Sequence, residues 1–76
     1  MSLADYRVLS QISEAADRTI RLSDLAAASN VTLSHLSRVV ARLEKAGWVT
    51  RTPDPRDGRY TLGQLTDSGW EKVVAS

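Results

Sequence analysis

The segment Asn30-Val31-Thr32 constrains the fold most, because it places a helix stop and a helix start within three residues. Asn tolerates the left-handed backbone conformation that ends helices, and an apolar residue directly after it can fold back as the hydrophobic closure. Thr32 is a favourable N-cap for a following helix. Because "LSDLAAAS" before this segment and "TLSHLSRVVARLEKAG" after it both predict helices, the segment predicts the tight turn of a helix-turn-helix.

The helix after this turn is the clearest element of the sequence. Its apolar residues recur at i, i+3, i+4 and i+7, the spacing of one buried stripe: Leu36, Val39, Val40 and Leu43. Gly47 ends the pattern, and Trp48 after it suits the closure of a Schellman motif over Leu43. We therefore predict a helix over residues 32–46.

The chain before the turn predicts one helix and one short strand. "SLADYRVLSQISEAA" has apolar residues three apart, with Ser2 as the cap and Asp5 at the third helical position. The run "TIRL" favours β structure but is too short to be stable alone, so we expect it to pair at a sheet edge.

The chain after residue 47 predicts a β-hairpin and a last helix. "WVTRT" and "RYTLGQL" flank the turn-rich segment "PDPRDG", where Gly58 is expected to supply a positive φ near the tip. "LTDSGWEKVVAS" begins a helix for which Thr66 is the expected cap.

Composition limits the class of protein. The 76 residues are 42% hydrophobic and 25% charged, as in one small globular domain, and four aromatic residues are expected to anchor much of its core: Tyr6, Trp48, Tyr60 and Trp70. The sequence has no Cys, which excludes disulfides and thiolate metal sites. It has no secretory signal and no apolar run near the roughly 18 residues of a membrane span, so the expected location is the cytoplasm.

Positive charge is concentrated in one part of the chain. Residues 32–59 carry six Arg and Lys against three Asp and Glu, a net charge of +3, whereas the whole chain has a net charge of +1. A basic region in a near-neutral domain favours contact with a polyanion, although a chance excess of three charges is the alternative.

The order of the predicted elements indicates the fold. It is an α+β, mostly α, winged helix-turn-helix, with a three-helix core, a β-hairpin wing and the start of a C-terminal helix. In such folds the helix after the turn enters the DNA major groove, and the residues at its N-terminus reach base edges. Arg38 lies one turn into this helix and is expected to contact DNA, with pairing to Glu44 as the alternative.

Three segments resemble the DNA-binding core of the MarR family of bacterial transcriptional regulators. "SHLSRVVARLEKAGWV" resembles the recognition helix of that family and its exit, "DPRDGRYTLGQLT" its wing, and "LTDSG" the start of the long helix that follows. The Asp-x-Arg pattern at Asp57 and Arg59 is more specific than the helix-turn-helix, which many families share. One departure is Asn30, where the family often has Gly.

The resemblance implies a site for double-stranded DNA, with helix 32–46 in the major groove and the wing, residues 53–59, at the minor groove. Arg59 would enter the minor groove, Asp57 would hold Arg59, and Arg56 would meet a phosphate. The expected DNA-binding residues are Thr32, Ser34, His35, Ser37, Arg38, Arg42, Arg56, Asp57 and Arg59.

Other readings of these residues stay open at this point. Asp57 and Arg59 also fit a surface ion pair at a loop tip, and Arg42 a solubility charge. His35 has no second His or Cys beside which to bind a metal, so we expect no metal site and no cofactor. No nucleophile–base pair or Gly-rich phosphate loop is present, which argues against an enzyme. A winged helix used for protein–protein contact is the alternative function.

The resemblance also implies a longer parent protein. MarR regulators add a helix before this region and long helices after it, which form the dimer. "MSL" looks like a vector leader, so we expect residues 1–76 to be a single DNA-binding domain cut from a homodimeric repressor. Any small-molecule inducer would then act in the parent only.

Overall fold

The computed structural model describes residues 2–75, which form four α-helices and a small three-stranded sheet. Among these residues no helix is long and apolar enough to span a bilayer. The elements in chain order are α1 (Leu3–Glu14), a 3-10 turn (Ala16–Arg18), β1 (Thr19–Arg21), α2 (Leu22–Ser29), α3 (Leu33–Lys45), β2 (Val49–Pro53), β3 (Thr61–Leu65) and α4 (Asp67–Ala75). The α+β, mostly α prediction is confirmed.

The sheet has the antiparallel strand order β1-β3-β2. The hairpin β2–β3 forms as predicted, and the short β1 pairs with β3 so that Ile20 lies opposite Gly63. The expectation that "TIRL" pairs at an edge is therefore confirmed. This third strand attaches the hairpin to the helical core, so the winged helix-turn-helix architecture is confirmed as well.

The turn between α2 and α3 has the predicted geometry. Asn30 lies in the left-handed region, with φ 55° and ψ 44°. The Val31 N–H donates to the carbonyl of Ala26 at 3.1 Å, which closes a Schellman motif. The Thr32 hydroxyl accepts from the His35 N–H at 3.1 Å and caps α3. These contacts set the angle at which α3 leaves the turn.

Helix α3 also ends as predicted, but the hairpin tip does not have the expected glycine conformation. Gly47 has a φ of 84°, and the Trp48 N–H donates to the Leu43 carbonyl at 3.0 Å. Gly58 has no positive φ, so that prediction is wrong. The tip instead turns through a bond of 3.0 Å from the Tyr60 N–H to the Asp57 carbonyl. Because its φ is not positive, position 58 does not require glycine in this turn.

The core is aliphatic, which contradicts the expectation that aromatic residues anchor it. None of the four aromatic residues is buried. Three of them instead carry a cation over the ring: Arg21 over Tyr60, Arg18 over Trp70 and Lys72 over Trp48. Trp48 also packs, half-buried, against the core. Half-exposed rings can keep a polar edge in water while covering apolar neighbours. The buried hydrophobic residues are Val8, Leu9, Ile12, Leu22, Leu25, Ala26, Leu36, Val39, Val40, Leu43, Val49 and Leu65.

Helix α4 packs against the exit of α3 through Gly69. A Cβ at this position would collide with the carbonyl oxygen of Trp48 and lie 2.7 Å from Cδ1 of Leu65. The close backbone approach therefore requires glycine. It holds the start of α4 beside the end of β3, on the side of the molecule where Val73 joins the core.

Candidate nucleic-acid interface

Helix α3, the recognition helix, presents a polar face opposite its buried stripe. Ser34, Arg38 and Lys45 are spaced so that they project from one side of the helix, and all three are exposed. Glu44 pairs with Arg51 of β2 at 2.9 Å, not with Arg38. Among residues 2–75, Arg38 forms no ion pair, so its guanidinium is available to an external anion.

The other predicted residues of α3 lie on its two flanks. Ser37 is on the flank that faces the hairpin. His35 and Arg42 are on the flank that faces α1, where His35 lines a groove together with Arg7. Arg42 Nη2 donates to Asp5 Oδ1 at 2.8 Å. The structure therefore separates Arg42, which is bound to α1, from the outward-facing Arg38.

The pKa of Asp5 reflects this contact with Arg42. Burial raises the pKa of Asp5, but the hydrogen bond from Arg42 and the bonds with Ser2 outweigh burial and hold the pKa below its ordinary value. Ser2 and Asp5 also form the predicted capping box of α1. A single carboxylate thus caps α1 and binds α3.

The start of α3 carries one exposed apolar residue that the sequence did not single out. Leu33 follows the cap Thr32 and has 51% of its surface exposed. Its neighbour Ser34 is exposed as well. An exposed leucine in the first turn of a recognition helix suits contact with the methyl group of a thymine. Its position directly after a predicted N-cap is the signal that would have identified it.

The wing holds Arg59 in a fork formed by Asp57. Arg59 donates from Nε to Oδ1 of Asp57 at 3.0 Å and from Nη2 to Oδ2 at 2.8 Å. These bonds lower the pKa of Asp57 below its ordinary value. The Arg59 side chain is nevertheless 84% exposed. The fork therefore fixes the direction of a guanidinium that remains accessible to solvent and ligand.

Asp54 is the buried polar residue at the base of the wing, and the sequence did not single it out. It is only 6% exposed. Its Oδ1 accepts from the Arg56 N–H at 2.8 Å, and its Oδ2 accepts from Nε of Arg21 at 2.7 Å. The local bond to Arg56 is an Asx turn that the segment Asp-Pro-x predicts. Arg21 is 33 positions away, and no sequence signal connects the two.

The recognition helix and the wing open onto one cleft of about 140 Å³. Ser37 of α3 and Arg59 of the wing both line it. The two predicted parts of the site therefore lie on the same face of the molecule. The complete lining is Leu22, Ser23, Leu33, Ser37, Arg51, Arg59, Tyr60 and Thr61. Among the described residues, no three His, Cys, Asp or Glu residues are grouped as metal ligands.

This geometry agrees with comparisons to known proteins. The MarR family model matches residues 1–61. The chain is 40% identical over 58 residues to YdcH of Bacillus subtilis, an uncharacterized helix-turn-helix transcriptional regulator, and this match covers 76% of the chain and 40% of YdcH. The matched relatives are thus described as transcriptional regulators.

Two solved structures from Streptomyces coelicolor share the fold. The MarR family regulator AbsC superposes with a TM-score of 0.95 at 33% identity, over 99% of this chain and 51% of AbsC. Sco3205, a MarR family regulator in complex with DNA, superposes with a TM-score of 0.90 at 42% identity, over 93% of this chain and 44% of Sco3205. The chain thus spans about half the length of these proteins, and it belongs to the MarR family of transcriptional regulators.

Proposed function

We propose that residues 1–76 form a domain that binds double-stranded DNA in a sequence-specific manner, with the recognition helix in the major groove and the wing at the minor groove. The observation that carries the proposal is the shared cleft, because Ser37 and Arg59 line one opening although they lie on different elements. A B-DNA major groove about 12 Å wide admits one helix, which leaves an adjacent hairpin near the neighbouring minor groove.

The residues of the recognition helix are proposed to have different roles. Ser34 and Ser37 are short enough to let the helix backbone approach the bases, and Arg38 is long enough to reach a base edge or a phosphate. Thr32 orients the first turn, whose N–H groups attract phosphate. His35 is proposed to contact a base or a phosphate from the α1 flank, beside Arg42.

The wing supplies the second group of contacts. Narrow A·T-rich minor grooves concentrate negative potential and attract arginine. Arg59, already oriented by Asp57, is proposed to enter such a groove, and Arg56 to meet a phosphate on its rim. Among residues 2–75, the guanidinium of Arg56 forms no ion pair, which leaves it free for this role.

The proposal extends to the parent regulator. Because the chain spans about half the length of its matches, we propose that a homodimer, formed through helices beyond residues 1–76, places two copies of this domain on one operator in the cytoplasm. Two tethered sites bind far more tightly than one. A small-molecule inducer that changed their spacing would then release a repressor from DNA.

Fluorescence anisotropy on A·T-rich duplexes tests the proposal. We expect salt-sensitive binding, and we expect Arg59→Ala to weaken it about tenfold, as for loss of one arginine contact in a groove. Arg18→Gln is the matched control, because Arg18 also pairs with an aspartate and covers an aromatic ring, but its partners Asp67 and Trp70 belong to α4 and not to the wing. Equal affinities of wild type and Arg59→Ala would contradict the role of the wing.

If the isolated domain shows no binding, the same anisotropy measurement is made on the longer dimeric protein. If the longer protein also fails to bind duplex DNA at low salt, the DNA-binding proposal is wrong. A winged helix for protein contact would then be the remaining explanation of the fold.

A further inference from the structure

We infer that Arg21 is a positioning residue for DNA recognition. From the edge strand β1 it binds Asp54, and this ion pair sets the direction in which the wing presents Arg59. This inference deepens the proposed function and rests on it. Arg21 lies outside both the recognition helix and the wing.

The Arg21 guanidinium makes two contacts with the loop, one with a carboxylate and one with an aromatic ring. Nε of Arg21 donates to Oδ2 of Asp54 at 2.7 Å. The carbon at the centre of the same guanidinium lies 4.3 Å from the ring centroid of Tyr60. Asp54 and Tyr60 are the residues at which the chain leaves β2 and returns to β3, and the Asp54 N–H donates to the Tyr60 carbonyl at 3.0 Å. One side chain therefore holds both ends of the loop.

Short hydrogen bonds within the loop connect Asp54 to the tip. Oδ1 of Asp54 accepts from the Arg56 N–H at 2.8 Å, and the Asp54 carbonyl accepts from the Asp57 N–H at 3.2 Å. Asp57 in turn accepts three hydrogen bonds from Arg59, two from its guanidinium and one from its backbone N–H. The path from Arg21 to Arg59 is thus continuous and runs through Asp54 and Asp57.

The burial of Asp54 explains why its partner matters. A carboxylate that is only 6% exposed loses most of its hydration, so removal of its cation leaves a charge with little solvent around it. The loop would then rearrange to bring Asp54 into water. Since no residue of the loop 54–60 belongs to the hydrophobic core, such a rearrangement would change the direction of the tip and spare the core.

The first experiment measures order in the wing of the free protein. We expect Arg21→Gln to lower the ¹⁵N order parameters of residues 54–60 from about 0.85 toward about 0.6, while those of α3 stay unchanged. Asp54→Asn is the second variant, since it keeps an acceptor for the Arg56 N–H and removes the charge that Arg21 binds. An ordered wing in both variants would overturn the inference.

The second experiment is a double-mutant cycle on an A·T-rich duplex. We expect Arg21→Gln to weaken binding about fivefold in the wild-type background and by less than about twofold in the Arg59→Ala background, because it acts through Arg59. The preference for A·T-rich over G·C-rich duplex should fall in parallel. A loss of stability alone would not change that preference at temperatures well below the unfolding transition.

Arg18→Gln is the matched control for both experiments. Arg18 also pairs with an aspartate and lies over an aromatic ring at 4.3 Å, and its side chain is 38% exposed against 35% for Arg21. We expect it to leave wing order and DNA affinity unchanged. An equal effect of the two substitutions would show a general charge effect and overturn the inference.

The outcomes separate this inference from the proposed function. If Arg21→Gln weakens binding equally in both backgrounds, Arg21 contributes independently of Arg59 and is not a positioning residue. If Arg59→Ala binds as well as wild type, the proposed role of the wing fails. The order parameters then still decide whether Arg21 holds the loop.

Discussion

The hydroxyl of Thr66 donates to the carbonyl oxygen of Gly47 at 2.7 Å. The Thr66 hydroxyl oxygen also accepts from the Gly69 N–H at 3.0 Å, which makes Thr66 both the cap of α4 and a link to the exit of the recognition helix. The Thr66 N–H also donates to the Trp48 carbonyl at 2.9 Å. One residue thus fixes where α3 ends relative to where α4 begins.

Thr66→Val should destabilise the protein because it removes the cap and the bond to Gly47 while it keeps the shape of the side chain. We expect a loss of about 1–2 kcal/mol and a fall in Tm of roughly 4–8 °C per kcal/mol. Thermal unfolding followed by circular dichroism measures it. Thr50→Val on the exposed strand β2 is the control and should change Tm little. Equal effects would show that the hydroxyl of Thr66 has no special role.

Asn30→Ala should destabilise the turn of the helix-turn-helix by about 1 kcal/mol, because alanine is disfavoured at the observed φ of 55°. Asn30→Gly is the matched variant, since glycine adopts that conformation without steric cost. Urea unfolding of both variants checks the prediction. If Ala were tolerated as well as Gly, the left-handed conformation would not be what selects the residue.

Substitution of Arg38 should affect DNA binding, whereas substitution of Arg42 should affect the stability of the fold. Arg38→Gln should weaken DNA binding and leave Tm unchanged, because Arg38 faces outward without an intramolecular partner among the described residues. Arg42→Gln should lower stability by no more than about 1 kcal/mol, as for an exposed ion pair, since it releases Asp5. Anisotropy and thermal unfolding of the two variants provide the comparison. A larger loss of affinity in Arg42→Gln would contradict the assignment.

Stability should fall when the pH drops below the ordinary carboxyl pKa of 3.8. Hydrogen bonds, chiefly from the Arg56 N–H, hold the pKa of Asp54 below that value, and bonds from Arg59 do the same for Asp57. A depressed pKa contributes stability that is complete above the ordinary value and is lost as the pH falls through the folded-state value. Urea midpoints from about pH 6 to about pH 2 measure this loss, and it should be smaller in Asp54→Asn. An unchanged acid profile in that variant would contradict the prediction.

Much of the architecture could be predicted from local sequence signals. The stop at Asn30, the cap at Thr32 and the closure of Trp48 over α3 each depend on residues within one helical turn of one another, so their spacing in the chain is sufficient to identify them. The wing pair Asp57 and Arg59 is local in the same sense. Their roles on DNA stay predictions, and their geometry agrees with the expected hydrogen bond.

Local sequence accounts for the elements, the turn between α2 and α3 and the hydrogen bonds between Asp57 and Arg59, because these depend on backbone preferences and on side chains a few residues apart. Tertiary structure alone decided which charges became partners: Arg42 binds Asp5 and Arg21 binds Asp54, across separations of 37 and 33 positions. Packing of distant elements also filled the core with aliphatic residues and placed a cation over three of the four aromatic rings. The physical reason is that such contacts depend on how packed helices and strands bring distant side chains together, which no local pattern specifies.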